Sequence, residues 1–161
     1  MDDKGLYIVT GATGGIGRAL TEGLCRRGLR VVMACRNTEK AEAIRQRIMR
    51  SGKAGNGEVT VRALDMASLG SIGRFAERIR SEGAEIAALI NNAGVMSGRF
   101  GLTADGIEQC MGVNYVGPYA LTRLLLPMIA DGGRIVNALS VTYRIGRIGP
   151  RPFEPEPQRY G

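Results

Sequence analysis

The stretch Thr10 to Gly17, TGATGGIG, holds four glycines in eight residues and follows the apolar run Leu6–Val9. So little side chain suits a flexible linker, a tight turn, or a loop whose backbone a ligand must approach. Ile16, Ala19, Leu20 and Leu24 then recur at helical spacing, so the glycines stand between a strand and a helix. A helix N-terminus presents unpaired N–H groups and a partial positive charge, a place for phosphate when side chains do not block it. Gly11 permits the turn, Gly15 lets a ligand approach the backbone, and Gly17 lets the helix pack on the sheet. No Gly-Lys-Ser/Thr closes the loop, so it is not a Walker phosphate loop.

Composition narrows the remaining chemistry. The chain has no histidine, which removes Ser-His-Asp and Cys-His catalysis and most zinc sites. Proton transfer falls to Tyr, Lys, Ser or a carboxylate, and no metal site is expected. Cys25, Cys35 and Cys110 are scattered and odd in number, the usage of reduced cytosolic thiols rather than of a disulfide framework. The net charge is +7, and only Lys4, Lys40 and Lys53 among the 22 Lys and Arg residues are lysine. These charges are spread along the chain and only 5% of residues are aromatic, so stacking platforms are scarce and a nucleic-acid partner is not expected. No apolar run approaches the ~18 residues of a membrane span, and the start MDDKG lacks the layout of a secretory signal. The expectation is a soluble cytoplasmic protein.

The elements that must carry this loop follow from periodicity. The apolar runs 6–10, 30–35, 58–64, 85–91 and 133–139 read as strands. Between them lie helical patterns: Ile16 to about Arg27, ended by Gly28; a helix capped by Thr38 and running to about Arg50; one capped by Ser68 with Leu69, Ile72, Phe75, Ala76 and Ile79 on one face; and a long one from about Ile107 to Ile129. Strand and helix alternate with short connections, the pattern of a three-layer α/β fold with a parallel sheet covered on both faces. Residues 1–149 read as one domain. The end, GPRPFEPEPQRYG, holds four of the six prolines and reads as a loop or arm over 150–161.

The loop spacing is Gly-x-x-x-Gly-x-Gly, and NNAG (91–94) follows the fourth strand. With ACRN (34–37), LDM (64–66), GVNYVGPYALTRLLLP (112–127) and GRIVNALS (133–140) in order, the chain resembles the short-chain dehydrogenase/reductase family. The match spans nearly the whole chain and is nearest to the branch with retinol dehydrogenase-like and protochlorophyllide reductase-like enzymes. The resemblance implies a Rossmann-type doubly wound sheet, an NADP cofactor, and hydride transfer to or from a small-molecule carbonyl or alcohol. It implies that Gly11, Thr13, Gly14, Gly15, Ile16 and Gly17 hold the pyrophosphate and nearby ribose. Asp65 and Met66 would meet the adenine, and Asn92, Ala93 and Gly94 would line the ribose and adenine side, though NNAG alone also suits a strand-ending turn. Ser140 would hydrogen-bond the substrate carbonyl, and Asn114 would support a water relay. Arg36 stands where NAD-specific folds carry an acid near the end of the second strand, and a guanidinium there can pair with a 2′-phosphate. NADPH is therefore expected over NADH, although Arg36 also suits a solvated basic surface.

The family's acid is the tyrosine of Tyr-x-x-x-Lys. Tyr143 follows Ser140 by three residues with no lysine after it, and Tyr160 stands beside Gly161. We expect the active Tyr-Lys pair, the sixth and seventh strands and the substrate-binding segment to lie beyond this chain, which alone would be inactive. A non-catalytic NADP-binding sensor or partner module is the alternative. The family pairs through its fourth and fifth helices, so a homo-oligomer is expected of the full-length protein. The tight Asn114–Pro118 spacing predicts a distorted helix, because proline cannot donate to the Asn114 carbonyl.

Overall fold

The computed structural model describes residues 5–52 and 54–145. Five strands, β1 (Leu6–Thr10), β2 (Arg30–Cys35), β3 (Glu58–Ala63), β4 (Ile86–Asn91) and β5 (Ile129–Asn137), form one parallel sheet. Their spatial order is β3-β2-β1-β4-β5. The chain reverses its direction of travel across the sheet between β1 and β4, and that switch opens a crevice at the carboxyl ends of these strands. Helices α1 (Gly15–Arg26), α2 (Thr38–Arg50) and α3 (Leu69–Ser81) separate the first four strands.

Alternation along the strands feeds two cores. Val31, Met33 and Cys35 of β2 pack with Cys25 of α1 and with Ala41, Ile44 and Ile48 of α2. Val32 and Ala34 point the other way, onto the layer of Ile72, Phe75, Ala76 and Ile79 of α3. The layers are therefore α1 and α2, the sheet, and α3 with the helical region that follows β4. In β4 the alternation slips: Ile86 and Leu89 share one core although they differ in parity. The register with both neighbouring strands shifts at this end, between Ile86 and Ala88 on the β5 side, so a bulge absorbs the extra residue.

The predicted helix over 107–129 is broken into pieces. It comprises the short α4 (Gln109–Met111), a π-helical turn (Gly112–Val116), α5 (Gly117–Leu125) and a 3-10 turn (Leu126–Met128). Pro118 has no N–H for the Asn114 carbonyl, and the backbone widens: the Gly117 N–H donates to the Gly112 carbonyl five residues back. Gly112 allows this, because a Cβ there would lie 2.4 Å from Thr103 Cγ2. The fifth strand begins at Ile129 rather than near Gly133, since Ile129 pairs with Ile86 before the register shift.

The cap of α2 also differs from expectation. Asn37, not Thr38, is the N-cap, and its Oδ1 accepts from the Lys40 N–H at 2.8 Å. Ser68 caps α3 as read, accepting from the Ser71 N–H at 3.2 Å. Among the described residues no helix is long and apolar enough to cross a membrane. Tyr160 and the proline-rich stretch 150–161 lie outside the described residues.

Candidate functional site

Gly11 has φ +63°, and a Cβ there would meet the Ala93 Cα at 2.8 Å. The turn after β1 is thus pressed against the turn after β4. Thr10, fully buried, clamps the two together: its Oγ1 accepts from the Asn92 N–H at 3.0 Å and the Ala93 N–H at 2.9 Å. The Asn92 amide returns the contact, donating to the Thr10 carbonyl at 3.0 Å. Gly17 seats α1 against this junction, where a Cβ would lie 2.4 Å from the Gly11 carbonyl oxygen.

Gly15 differs. An added Cβ there meets nothing within 4 Å, because it faces a cavity of about 670 Å³. The N-terminus of α1 opens to that space through Gly14, with no side-chain cap and no acid in its first turn. An uncapped helix start beside exposed glycine backbone is what an anionic phosphate requires, since N–H groups and helix dipole both face it. These residues fit a dinucleotide.

The cavity extends from the α1 N-terminus across the ends of β2 and β3. Its wall holds every residue assigned above to the cofactor: Gly11, Thr13, Gly14, Gly15, Ile16, Gly17, Arg36, Asp65, Met66, Asn92, Ala93 and Gly94. Arg36 is exposed at the end of β2 and makes no ion pair among the described residues. Asp65 is braced, its N–H donating to Ser71 Oγ at 2.9 Å and its Oδ1 accepting from the Ala67 N–H at 3.0 Å. The wall also includes Cys35, Asn37, Lys40, Val95 and Val113, which the sequence reading did not assign. Lys40 had a usable signal: it is a cation four residues after Arg36, in the first turn of α2. Cys35 had none, since a cysteine ending an apolar strand reads as core. Burial pushes its thiol above its ordinary value, against a smaller opposite pull from the Ala12 and Thr13 N–H groups.

The two residues assigned to catalysis lie off this wall. Asn114 sits in the π-helical turn, and its side chain grips the segment after NNAG. Its Oδ1 accepts from the Val95 N–H and its Nδ2 donates to the Val95 carbonyl, both at 2.8 Å. Ser140 follows β5, is exposed, and caps a 3-10 turn (Val141–Arg144). Its Oγ accepts from the Thr142 N–H at 3.2 Å and lies 2.9 Å from Thr142 Oγ1.

A doubly wound sheet with this turn at its switch point suits several nucleotide-binding families, and comparison with known proteins separates them. Residues 6–151 match the family profile described as short chain dehydrogenase. The chain belongs to that family. Retinol dehydrogenase 11 of Homo sapiens is 43% identical over 145 residues, which cover 89% of this chain and 45% of that protein. The chain thus spans about half the length of the curated relatives it matches. Among solved structures, an uncharacterized protein from Mycobacterium Paratuberculosis superposes with a TM-score of 0.79 at 38% identity, covering 91% of this chain and 50% of its own. A metagenomic short-chain oxidoreductase in complex with NADP gives 0.70 at 32% identity, covering 86% of this chain and 64% of its own. The Rossmann-like fold of the chain is therefore shared with these structures, and the named relatives are a dehydrogenase and an oxidoreductase.

Proposed function

We propose that this chain supplies the cofactor half of an NADP-dependent oxidoreductase acting on a carbonyl or alcohol. The observation that carries the reading is the uncapped α1 N-terminus, which opens behind Gly14 and Gly15 into the same cavity that Arg36 borders. When bound, NADPH supplies a hydride for carbonyl reduction, and NADP accepts one in the reverse direction.

The chain's own residues have defined tasks in this reading. The α1 backbone N–H groups hold the pyrophosphate, and the open space at Gly15 admits it. Arg36 pairs with the 2′-phosphate, and Lys40 lines the same cavity. Asp65 keeps carboxylate lone pairs for the adenine amine, since among the described residues its carboxylate accepts one N–H. Asn114 holds Val95 and so shapes the floor under the nicotinamide ribose. Ser140 is the donor for the substrate oxygen: its Oγ accepts from the Thr142 N–H and hydroxyl, which leaves its own proton to donate. The exposed Met96, Leu139 and Val141 near these residues favour a substrate with an apolar body. The solved relative in complex with NADP supports this cofactor class.

The test is the dissociation constant for NADPH and for NADH, in the protein and in Arg36→Asp. One charge-assisted contact is worth about 1.5–3 kcal/mol, so NADPH binds tighter by roughly 10–100-fold and the variant loses that margin. Equal binding of the two cofactors in both proteins would refute the assignment.

A further inference from the structure

We infer that Asp105 is a positioning residue for the adenine end of the cavity: its carboxylate holds the start of α3 and, through it, the direction in which Asp65 points. The inference rests on the reading of Asp65 as the partner of the adenine amine.

Asp105 stands at the tip of a tight loop between β4 and α4. Leu102 and Glu108 pair as an antiparallel bridge at its base. The Gln109 N–H donates to the Gly101 carbonyl at 2.9 Å, and the Thr103 N–H to the Ile107 carbonyl at 2.7 Å. Thr103 is buried, and its Oγ1 accepts from the Asp105 N–H at 3.3 Å and the Ile107 N–H at 3.2 Å. Gly106 closes the turn with φ +74°. Asp105 is exposed, yet the backbone on both sides of it is fixed.

This tip is docked on the first turn of α3, 36 residues earlier in the chain. Asp105 Oδ2 accepts from the Leu69 N–H at 2.8 Å. Such an N–H has no partner within its own helix, and the Ser68 side chain serves the Ser71 N–H. No acid stands in the first turn of α3, so the distant loop supplies the negative charge that a helix start favours. Beside this contact the Ala104 N–H donates to the Ala67 carbonyl at 3.2 Å.

From here Asp65 is one hydrogen bond away. Ala67, whose carbonyl the loop holds, donates its own N–H to Asp65 Oδ1 at 3.0 Å. That bond orients the carboxylate, and Asp65 and Met66 both line the cavity. When Leu69 is released from Asp105, the first turn of α3 is free to shift, and the Asp65 carboxylate shifts with it. A residue that served stability alone would weaken every form of the cofactor equally. Asp105 instead acts on discrimination at the adenine amine.

The test compares dissociation constants for NADPH and for its deamino analogue, in which hypoxanthine presents a carbonyl oxygen where adenine has the amine. The full chain binds NADPH more tightly than the analogue by about tenfold or more. Asp105→Ala lowers that ratio to about threefold or less. Asp105→Asn keeps a side-chain carbonyl oxygen for the Leu69 N–H and holds the ratio within about twofold of the parent's. Without cofactor, amide hydrogen exchange reads the tie itself: the Leu69 N–H exchanges at least about fivefold faster in Asp105→Ala than in the parent. Thermal melts check folding, and if Asp105→Ala does not fold, Asp105→Ser, whose hydroxyl stops one bond short of Leu69, is read in its place. Unchanged Leu69 exchange overturns the inference, as does an unchanged ratio in the Ala variant or an Asn variant that falls as far as Ala. A parent chain that binds neither dinucleotide, or both equally, refutes the reading of Asp65 instead.

Discussion

At Gly17 a Cβ would lie 2.4 Å from the Gly11 carbonyl oxygen and 2.8 Å from both the Ala12 Cα and Asn92 Nδ2. At Gly15, two residues earlier in the same helix, it would meet nothing. The two positions therefore predict opposite effects. Gly17→Ala forces backbone apart at the junction of β1, β4 and α1, costing about 1–3 kcal/mol as overpacking does. For a chain of this size that is a fall in Tm of roughly 2–12 °C. Gly15→Ala keeps or slightly raises Tm, since alanine is favoured over glycine in a helix by up to ~1 kcal/mol. The same methyl enters the cavity at the helix start, so it weakens NADPH binding. Thermal melts and cofactor titration of both variants check this; a Gly15→Ala protein with full affinity would move the phosphate elsewhere.

Helix ends and helix breaks carry the corresponding lesson for elements. Thr38 and Asn37 are adjacent and both are good cap residues, and the chain uses Asn37. The carboxamide reaches the Lys40 N–H because Asn37 has the extended backbone of a cap, φ −93° and ψ 97°, while Thr38 has already entered the helix. We predict that Asn37→Ala costs about 1 kcal/mol and that Thr38→Ala changes unfolding free energy by less than about 0.5 kcal/mol. Denaturant melts distinguish them, and equal losses would contradict the cap assignment. The break after α4 shows what a pattern conceals. Pro118 announces a distortion from the sequence, but its form as a π-turn depends on Gly112 packing against Thr103 and Gly117 packing against Met66. Helical spacing of apolar residues continues through such a turn, so 107–129 reads as one helix.

For the molecule as a whole, β5 is the outermost strand among those described, paired on one side by β4. Its apolar residues are accordingly half exposed: Ile135 at 37% and Val136 at 46%. An edge of this kind is a template for another strand. The 161-residue chain is expected to self-associate, with the sedimentation coefficient rising with concentration, and Val136→Lys is expected to suppress that rise by charging the edge. Concentration-independent monomer in the parent chain would contradict this. The prediction concerns the edge and not the cofactor, so it stands apart from the test on Arg36.

Much of the candidate site was readable because its glycine loop is built from backbone. A loop that exposes N–H groups needs glycine at fixed offsets, and the roles read for Gly11, Gly15 and Gly17 correspond to the positive φ, the open face and the tight contact seen at those positions. The apolar periods likewise set five strands and the alternation of helices between them. Strand order was not in any local pattern. Placing β4 beside β1 brings Asn92 against Thr10 across 82 residues of sequence, and only long-range packing decides such a contact. The same holds for Cys35, which borders the cavity and shares a core with Ala12 of the glycine turn. In sequence it is one more apolar residue on a buried strand; the fold makes it a neighbour of the glycine turn.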